Sequence, residues 1–150
     1  MVGIGYDSHR FAAGRRLVLG GVEIEHEMGL DGHSDADVLT HAVIDALLGA
    51  AGGGDIGTMF PDDDERWRDA DSIDLLRTAV GTVAGAILNI DATLICEQPR
   101  LGPYKSEMER LLADATSARV TVKATSNEGM GWIGRGEGIA CIAVAMIQSE

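Results

Sequence analysis

Two histidines and an aspartate have the types and spacing of metal ligands. Asp7 and His9 lie two positions apart in a segment that predicts a β-strand, and alternate residues of a strand point to the same face. His41 lies on a predicted helix within the run G-H-S-D-A-D-V-L-T-H. Two ligands from the strand and one from the helix would leave a fourth position open, which is typical of catalytic zinc. The alternatives are a polar strand end for Asp7 and His9 and a buried core position for His41.

Two residues that precede the same helix are candidates for phosphate contacts. A helix N-terminus presents free N–H groups and a partial positive charge, so it favours phosphate near His33 and Ser34. Ser34 is also the predicted N-cap, because Asp37 completes an S-x-x-D capping signature, and the two roles are compatible. Asp45, which follows His41 by one helical turn, is either a carboxylate that orients its imidazole or a solvated helix residue.

Two further segments are candidates for ligand contacts. The run G-D-I-G-T-M-F-P-D-D-D at residues 54–64 predicts an active-site loop, with a plain acidic surface loop as the alternative. The run T-S-N-E-G-M-G-W-I-G-R-G-E-G at residues 125–138 is compatible with a second anion-binding loop or with an ordinary glycine-rich turn. Within it, Glu128 is either a ligand for a hard cation such as Mg²⁺ or a surface carboxylate.

The elements that must position these residues alternate along the chain without a linker. Their order indicates an α+β fold: a single domain over residues 1–150, with a mixed β-sheet and helices packed on one face. The predicted strands cover residues 2–6, Leu17–Leu19, Val22–Ile24, 92–96, 120–124 and 139–147, and the predicted helices cover residues 35–51, 72–88 and 104–115. The last strand is apolar on both faces, which indicates a subunit interface.

Composition limits the class of protein. The 150 residues carry a net charge of −12, which argues against a nucleic-acid partner. Cys96 and Cys141 lie in apolar strands, so we expect two reduced thiols in the core. No run approaches the roughly 20 apolar residues of a membrane span, and a strand that begins at Val2 leaves no room for a signal peptide. We therefore expect a cytoplasmic protein without a membrane partner.

Four ordered motifs resemble the 2-C-methyl-D-erythritol 2,4-cyclodiphosphate synthase family. They are D-S-H near the start, H-S-D-A-D-V-L-T-H-A-V-I-D-A-L-L-G-A, G-D-I-G-T-M-F-P-D and K-A-T-S-N-E-G-M-G-W-I-G-R-G-E-G-I-A. The resemblance extends from Gly3 to about Val144. The family acts in the non-mevalonate isoprenoid pathway as a homotrimer with active sites between neighbouring subunits. The resemblance therefore implies a homotrimer of this chain with shared active sites.

The resemblance also implies cofactors and roles for individual residues. His33 and Ser34 match residues at the substrate phosphates, and a second divalent cation, Mg²⁺ or Mn²⁺, is implied at Glu128. We expect His33 and Ser126 to stabilise the transition state. The ligands implied for one Zn²⁺ per chain are Asp7, His9 and His41.

The substrate pocket that the resemblance implies has two parts. The loops around the methylerythritol are Asp55, Ile56, Gly57, Phe60, Pro61, Asp62, Asp63 and Asp64. The cytidine and phosphate pocket of the adjacent subunit is Cys96, Glu97, Gln98, Pro99, Arg100, Leu101, Gly102, Ala124, Thr125, Ser126 and Asn127. A cavity along the trimer axis, associated in the family with isoprenoid diphosphates, is lined by Trp132, Arg135 and Glu137. Arg100, Ser126 and Trp132 stand where the family commonly has lysine, threonine and phenylalanine.

The activity implied is a cyclising phosphoryl transfer. The substrate would be 4-diphosphocytidyl-2-C-methyl-D-erythritol 2-phosphate, and the products 2-C-methyl-D-erythritol 2,4-cyclodiphosphate and CMP. Such an enzyme is a metal-dependent phosphorus–oxygen lyase. Two alternatives stay open at this point: a zinc-dependent phosphoester hydrolase that uses zinc-bound water, and a non-catalytic trimer that binds isoprenoid diphosphates around a structural metal.

Overall fold

The computed structural model describes residues 1–149. Its strands are β1 (Val2–Ala12), β2 (Leu17–Leu19), β3 (Val22–Ile24), β4 (Gly29–Leu30), β5 (Ala86–Ile95), β6 (Arg119–Thr125) and β7 (Gly138–Gln148). Its α-helices are α1 (Val38–Ala51), α2 (Ile56–Met59), α3 (Ser72–Val80), α4 (Lys105–Thr116) and α5 (Gly131–Gly134). Single 3-10 turns cover Glu65–Trp67 and Gly102–Tyr104.

Five strands form one sheet in the order β4-β1-β7-β5-β6, and β2 pairs with β3 in a separate hairpin. β1 and β5 both run antiparallel to β7, whereas β6 runs parallel to β5. The sheet is therefore mixed, as the sequence predicts. In its register Asp7 pairs with Cys141, Cys141 with Leu94, and Leu94 with Ala124. These four residues form one row across the sheet.

Helix α1 packs directly on β1 because two glycines let the backbones meet. Most of α1 is buried. An added Cβ at Gly3 would lie 2.0 Å from the Ala46 carbonyl oxygen, and one at Gly5 would lie 1.9 Å from the Ala42 carbonyl oxygen. Both distances are far below van der Waals contact, so this separation of strand and helix requires residues without a side chain.

The two faces of the sheet have different environments. α1 packs on β1 and β7, α4 packs on β6, and α3 packs on both helices, so the helices cover one face, as predicted. On the other face, β1 and β7 carry side chains that are 39% to 69% exposed, and we call this set the outer apolar face: Val2, Ile4, Tyr6, Ile142, Val144 and Met146. Contiguous apolar surface of this kind marks an interaction site.

The prediction of one long helix over residues 72–88 is wrong. α3 ends at Val80, where Gly81 caps it, and β5 begins at Ala86. Between them Gly85 adopts a φ of +98°, which a residue with a side chain rarely adopts. The chain therefore turns there and enters the sheet. The first strand is also longer than predicted, since β1 runs from Val2 to Ala12 and so contains both Asp7 and His9.

The predicted N-cap of the first long helix is also wrong. The cap of α1 is Asp37, whose carboxylate accepts from the Thr40 N–H at 3.0 Å. Ser34 cannot cap the same helix because Ala36, between the two, has a left-handed φ of +57°. The segment before α1 is therefore an irregular loop, and its side chains are free to turn towards other partners.

The cysteines agree with the expectation from sequence. Cys96 and Cys141 are free thiols in the core, and burial raises the pKa of Cys96 to about 11. Within residues 1–149, no helix combines the length and the apolar character that crossing a membrane requires.

We expect Gly5→Ala to destabilise the protein, because the methyl group would occupy the space of the Ala42 carbonyl oxygen. Overpacking of a core lowers the free energy of unfolding by about 1–3 kcal/mol. We expect a loss near ~3 kcal/mol, because the methyl group would meet rigid backbone. The measurement is the free energy of unfolding from urea titration. Gly53→Ala is the matched control, since a Cβ there would lie 3.5 Å from Leu48 Cδ2, an ordinary contact. Equal stability of the two variants would contradict the close packing of β1 on α1.

Candidate functional site

Three side chains predicted as metal ligands converge where β1 meets α1. Asp7 Oδ2 lies 2.8 Å from His9 Nε2 and 3.1 Å from His41 Nδ1, and the two ring nitrogens are 3.4 Å apart. β1 supplies two of these side chains on its helix-facing side, and the first turn of α1 supplies the third. A tetrahedral site with bonds of about 2.0 Å has edges of roughly 3.3 Å. The cluster therefore fits a divalent metal ion.

The charges of this cluster favour a cation. Burial opposes the charge of Asp7, but contacts with the His41 and His9 rings, when these are protonated, outweigh it and hold the pKa of the carboxyl below its usual value. Burial also opposes a charged His9, but the Asp7 carboxylate outweighs this effect and raises the pKa of His9. The carboxylate of Asp7 thus stays ionised and stabilises positive charge beside it, whether on a protonated ring or on a metal ion.

The second nitrogen of each ring also has a partner. His9 Nδ1 lies 2.8 Å from the Asp31 carbonyl oxygen, which can only accept, so Nδ1 carries the proton and Nε2 is free to bind an ion. His41 Nε2 lies 2.8 Å from Ser72 Oγ and 3.1 Å from Ser34 Oγ. Both imidazoles are therefore fixed in orientation by groups outside the metal cluster.

The carboxylate behind His41 is Asp35 and not Asp45. Asp35 Oδ2 accepts from the Ser72 backbone N–H at 2.9 Å, and Asp35 Oδ1 accepts from the Ser72 hydroxyl. Asp45 instead accepts from the Ile56 N–H at 3.1 Å and joins α1 to α2. The hypothesis that Asp45 orients His41 is therefore wrong, because its helical position directs it to the next loop.

The metal cluster opens into a cleft of about 250 Å³. Phe60 and Trp67 form part of its wall and pack edge to face, with ring centroids 5.0 Å apart. The predicted site residues that line the cleft are Asp7, His9, His33, Ser34, His41, Ile56, Gly57, Phe60 and Asp62. Gly32, Trp67 and Leu75 also line it, and the sequence analysis did not single them out.

Two other predicted residues of the acidic loop, Asp55 and Asp64, stabilise the loop itself. Asp55 caps α2 through its side chain. Asp64 pairs with Arg66 at 2.6 Å, and its carbonyl oxygen lies 3.0 Å from His33 Nε2, which can donate to it. In the described part of the chain, the predicted residues of this loop outside the cleft lining are Asp55, Pro61, Asp63 and Asp64.

The segments predicted to hold the nucleotide form a second group. Glu97 Oε1 accepts from the backbone N–H groups of Asn127 at 3.0 Å and Gly129 at 3.1 Å, which joins residues 96–102 to residues 124–129. Ser126 Oγ accepts from the Glu128 N–H at 3.2 Å, and the side chain of Glu128 is exposed. Among residues 1–149, no member of 96–102 or 124–128 lines the cleft at the metal cluster.

The residues predicted for an axial cavity lie at a third place. Trp132 and Glu137 line a cavity of about 240 Å³ together with Ser8, His9 and Arg10. Arg135 Nε donates to Glu137 Oε2 at 2.7 Å, so it lies at the margin of this cavity. Ser8 and Arg10 alternate with Asp7 and His9 along β1, so their side chains point away from the metal cluster, while His9 lines both this cavity and the cleft.

Sequence reasoning missed the side chain that holds the loop of His33 and Ser34. Arg15 donates from Nη1 to the Gly32 carbonyl oxygen at 3.0 Å and from Nη2 to the Ser34 carbonyl oxygen at 2.8 Å. Its partners are distant in sequence, so no local sequence pattern predicts the contact. Asp35 lies within the motif H-S-D-A-D, but its partner Ser72 is 37 residues away in sequence.

Comparisons with known proteins agree over nearly the whole chain. A model of the YgbB family matches residues 1–148. The 2-C-methyl-D-erythritol 2,4-cyclodiphosphate synthase of Rubrobacter xylanophilus is 56% identical, with 98% of this chain and 94% of that protein covered. The corresponding synthase of Symbiobacterium thermophilum is 53% identical, with 98% of each chain covered. The bifunctional enzyme IspD/IspF of an Anaeromyxobacter species is 55% identical over 97% of this chain and 39% of that protein.

Solved structures give the same relationship. The bifunctional IspDF from Campylobacter jejuni has a TM-score of 0.92 and 41% identity, and covers 96% of this chain and 41% of its own. A CDP-bound form of 2C-methyl-D-erythritol-2,4-cyclodiphosphate synthase has a TM-score of 0.88 and 34% identity over 99% of this chain and 100% of that chain. The chain thus spans about two fifths of the bifunctional proteins and nearly all of the single-activity ones. It belongs to the YgbB family, together with relatives named 2-C-methyl-D-erythritol 2,4-cyclodiphosphate synthase.

Proposed function

We propose that this protein converts 4-diphosphocytidyl-2-C-methyl-D-erythritol 2-phosphate into 2-C-methyl-D-erythritol 2,4-cyclodiphosphate and CMP in the non-mevalonate isoprenoid pathway. The observation that carries the proposal is the cluster of Asp7, His9 and His41 in a cleft, in a chain with full-length relatives of that name. A solved relative that binds CDP supports a cytidine diphosphate group in the substrate.

The reaction joins two groups of one molecule. An oxygen of the 2-phosphate attacks the β-phosphorus of the diphosphate, and the bond from that phosphorus to the bridging oxygen breaks, so CMP leaves with the bridging oxygen. Because nucleophile and electrophile belong to the same substrate, the enzyme has to fold the molecule and neutralise charge. CMP is a phosphate leaving group, so the reaction requires no strong general acid.

The metal cluster suits Zn²⁺. Two imidazoles and one carboxylate with an open fourth position are the ligands of many catalytic zinc sites, and Asp7, His9 and His41 provide this set. Zinc bound there would act as a Lewis acid that draws charge from a phosphate oxygen. His33 and Ser34 line the same cleft, and we assign them to the substrate phosphates, with His33 stabilising the transition state.

We assign the loop of residues 54–64 to the methylerythritol. Ile56, Gly57, Phe60 and Asp62 line the cleft beside the metal cluster, so they combine apolar contacts with a carboxylate that can accept from a hydroxyl. Trp67 closes the same wall by packing on Phe60. The cleft of one chain, about 250 Å³, is smaller than the roughly 300–1,000 Å³ of sites for ligands of drug size.

We assign the cytidine and the second cation to a neighbouring subunit of a homotrimer. Asp7 and Ala124 lie in one row of the sheet, three strand spacings apart, which is about 14 Å. One diphosphate cannot contact the metal cluster and the loop of Ser126 and Glu128 of the same chain across that distance. Glu128 is a single exposed carboxylate. Such a carboxylate is a suitable ligand for a Mg²⁺ or Mn²⁺ ion whose other ligands are substrate phosphates.

The same homotrimer would cover the outer apolar face. Exposed side chains such as Ile4 and Tyr6, at 69% and 56%, favour burial against another chain. The cavity of Trp132 and Glu137, with Arg135 at its margin, lies on that side of β1. In the trimer it would approach the axis, where it could take an isoprenoid diphosphate. We expect the protein to act in the cytoplasm.

We expect ³¹P NMR of the purified protein with the diphosphocytidyl substrate, Zn²⁺ and Mg²⁺ to detect the cyclic diphosphate together with CMP. The two products must appear in equal amounts, because one transfer step makes both. Inorganic phosphate or a ring-opened product would instead indicate a zinc hydrolase. Tight binding of an isoprenoid diphosphate without turnover would indicate a binding protein.

We expect His41→Ala to lose the one zinc ion per chain and the turnover, because two remaining ligands bind zinc weakly. Elemental analysis of the purified variant measures the stoichiometry, and analytical ultracentrifugation checks that its oligomeric state is unchanged. His26→Ala is the matched control, since His26 packs on Phe11, with ring centroids 5.5 Å apart, and lies outside the metal cluster. Full zinc content in His41→Ala would refute the ligand assignment.

We expect two inactive variants to complement each other when their subunits mix. One carries His41→Ala and the other carries Ser126→Ala with Glu128→Ala, so some interfaces of a mixed trimer contain both intact halves of a site. The measurement is cyclisation activity after the equimolar mixture is refolded together. Each variant refolded alone is the control. Absence of any gain, once subunit exchange is proven by mass spectrometry, would place each site within a single chain.

A further inference from the structure

We infer that Asp35 and Ser72 are positioning residues that hold the proton of the His41 ring on Nε2 and leave the lone pair of Nδ1 directed at the cation. The inference rests on the proposed function only for the presence of a metal ion at Asp7, His9 and His41. It assigns a task to two residues that touch neither the metal ion nor the substrate.

The direction of the hydrogen bonds carries the inference. Asp35 Oδ2 accepts from the Ser72 N–H at 2.9 Å, Oδ1 accepts from the Asp37 N–H at 3.1 Å, and Oδ1 also contacts the Ser72 hydroxyl. A carboxylate accepts and does not donate, so the Ser72 proton points to Asp35. The oxygen of Ser72 then has lone pairs alone for His41 Nε2 at 2.8 Å. His41 Nε2 must therefore be the donor.

The burial of Ser72 and His41 excludes water as another hydrogen-bond partner of the Ser72 hydroxyl and His41 Nε2. Ser72 is 0% exposed and His41 is 8% exposed, so water does not compete for the hydroxyl or the ring nitrogen. Ser72 is the first residue of α3, and the side chain of Asp71 caps that helix by accepting from the Ile73 N–H at 2.8 Å. The position of the hydroxyl is thus fixed by the start of a helix, and not by the ring that it contacts.

The consequence appears at the other nitrogen of the ring. A neutral imidazole carries one N–H, so a proton on Nε2 leaves Nδ1 as an acceptor. This Nδ1 faces Asp7 Oδ2 at 3.1 Å, and two acceptors at that distance repel each other unless a cation lies between them. The relay from Asp35 through Ser72 thus prepares the site for a metal ion before the ion arrives.

A second consequence concerns Ser34. Its Oγ lies 3.1 Å from the same His41 Nε2, and since that nitrogen holds a proton, Ser34 cannot donate to it. The Ser34 hydroxyl is therefore free to donate into the cleft that Ser34 lines. In the proposed reaction the acceptor there is a phosphate oxygen, so one relay sets both a metal ligand and a phosphate donor.

The test is long-range ¹H–¹⁵N NMR of the ¹⁵N-histidine-labelled full chain, stripped of metal, at a pH where the rings are neutral. We expect His41 of the parent protein to give the spectrum of an Nε2–H ring. We expect Ser72→Ala to give a mixture of both tautomers, because Ser34 alone does not fix the donor. A proton on Nδ1 in the parent protein would overturn the inference, even if Ser72→Ala failed to fold.

Zinc affinity gives a second measurement, by competition with a chromophoric chelator and without substrate. We expect Ser72→Ala to bind zinc about 10- to 100-fold more weakly, as is typical when a group that orients a ligand is removed. Thr116→Ala is the matched control, since it removes another buried hydroxyl, which donates to the Leu112 carbonyl oxygen at 2.7 Å in α4. Unchanged affinity in Ser72→Ala, or an equal loss in Thr116→Ala, would overturn the inference. Neither measurement uses turnover, so a failure here is distinct from failure of the proposed reaction.

Discussion

The contact of β1 with α1 through Gly3 and Gly5 is the constraint on which the metal cluster depends. Gly5 precedes Asp7 by two residues, and the Ala42 carbonyl that it approaches belongs to the residue after His41. A side chain at Gly5 would need about 1 Å of extra space. Metal ligands tolerate errors of about 0.2 Å in their distances. The strand and the helix can share one ion only because the glycines bring their backbones together.

The loop that enters α1 shows how an acidic chain uses its carboxylates. Asp37 is 0% exposed, and it accepts from the N–H groups of Gly20, Gly21 and Thr40 and from the Thr40 hydroxyl. Burial, together with the charge of Asp35, raises the pKa of Asp37 despite these bonds. This carboxylate docks the β2–β3 hairpin on the start of α1. The neighbouring Asp35 orients Ser72, so adjacent acids of one motif have separate structural tasks.

The metal cluster could be predicted in part from local pattern and from its residue types, although His41 lies 34 residues from Asp7. The spacing of Asp7 and His9 places them on one strand face, and His41 follows a recognisable helix start. The task of Ser72 could not be predicted, since its partner Asp35 lies 37 residues earlier and only the packing of α3 on α1 brings them together. The helix predicted over residues 72–88 failed for a different reason. The segment from Ala79 to Leu88 is mostly apolar, and its period changes from helix to strand with only Gly81, Thr82 and Gly85 to mark the boundary.

The charges that line the cleft favour a cation as part of the site. Asp7 and Asp62 both line it, and among residues 1–149 no lysine or arginine does. Arg15 lies nearby, but both of its terminal nitrogens donate to carbonyl oxygens of the loop that it holds. A cleft with two carboxylates and no fixed positive side chain repels a phosphate. A divalent ion bound at the metal cluster would reverse the local charge and so favour a phosphate in the cleft.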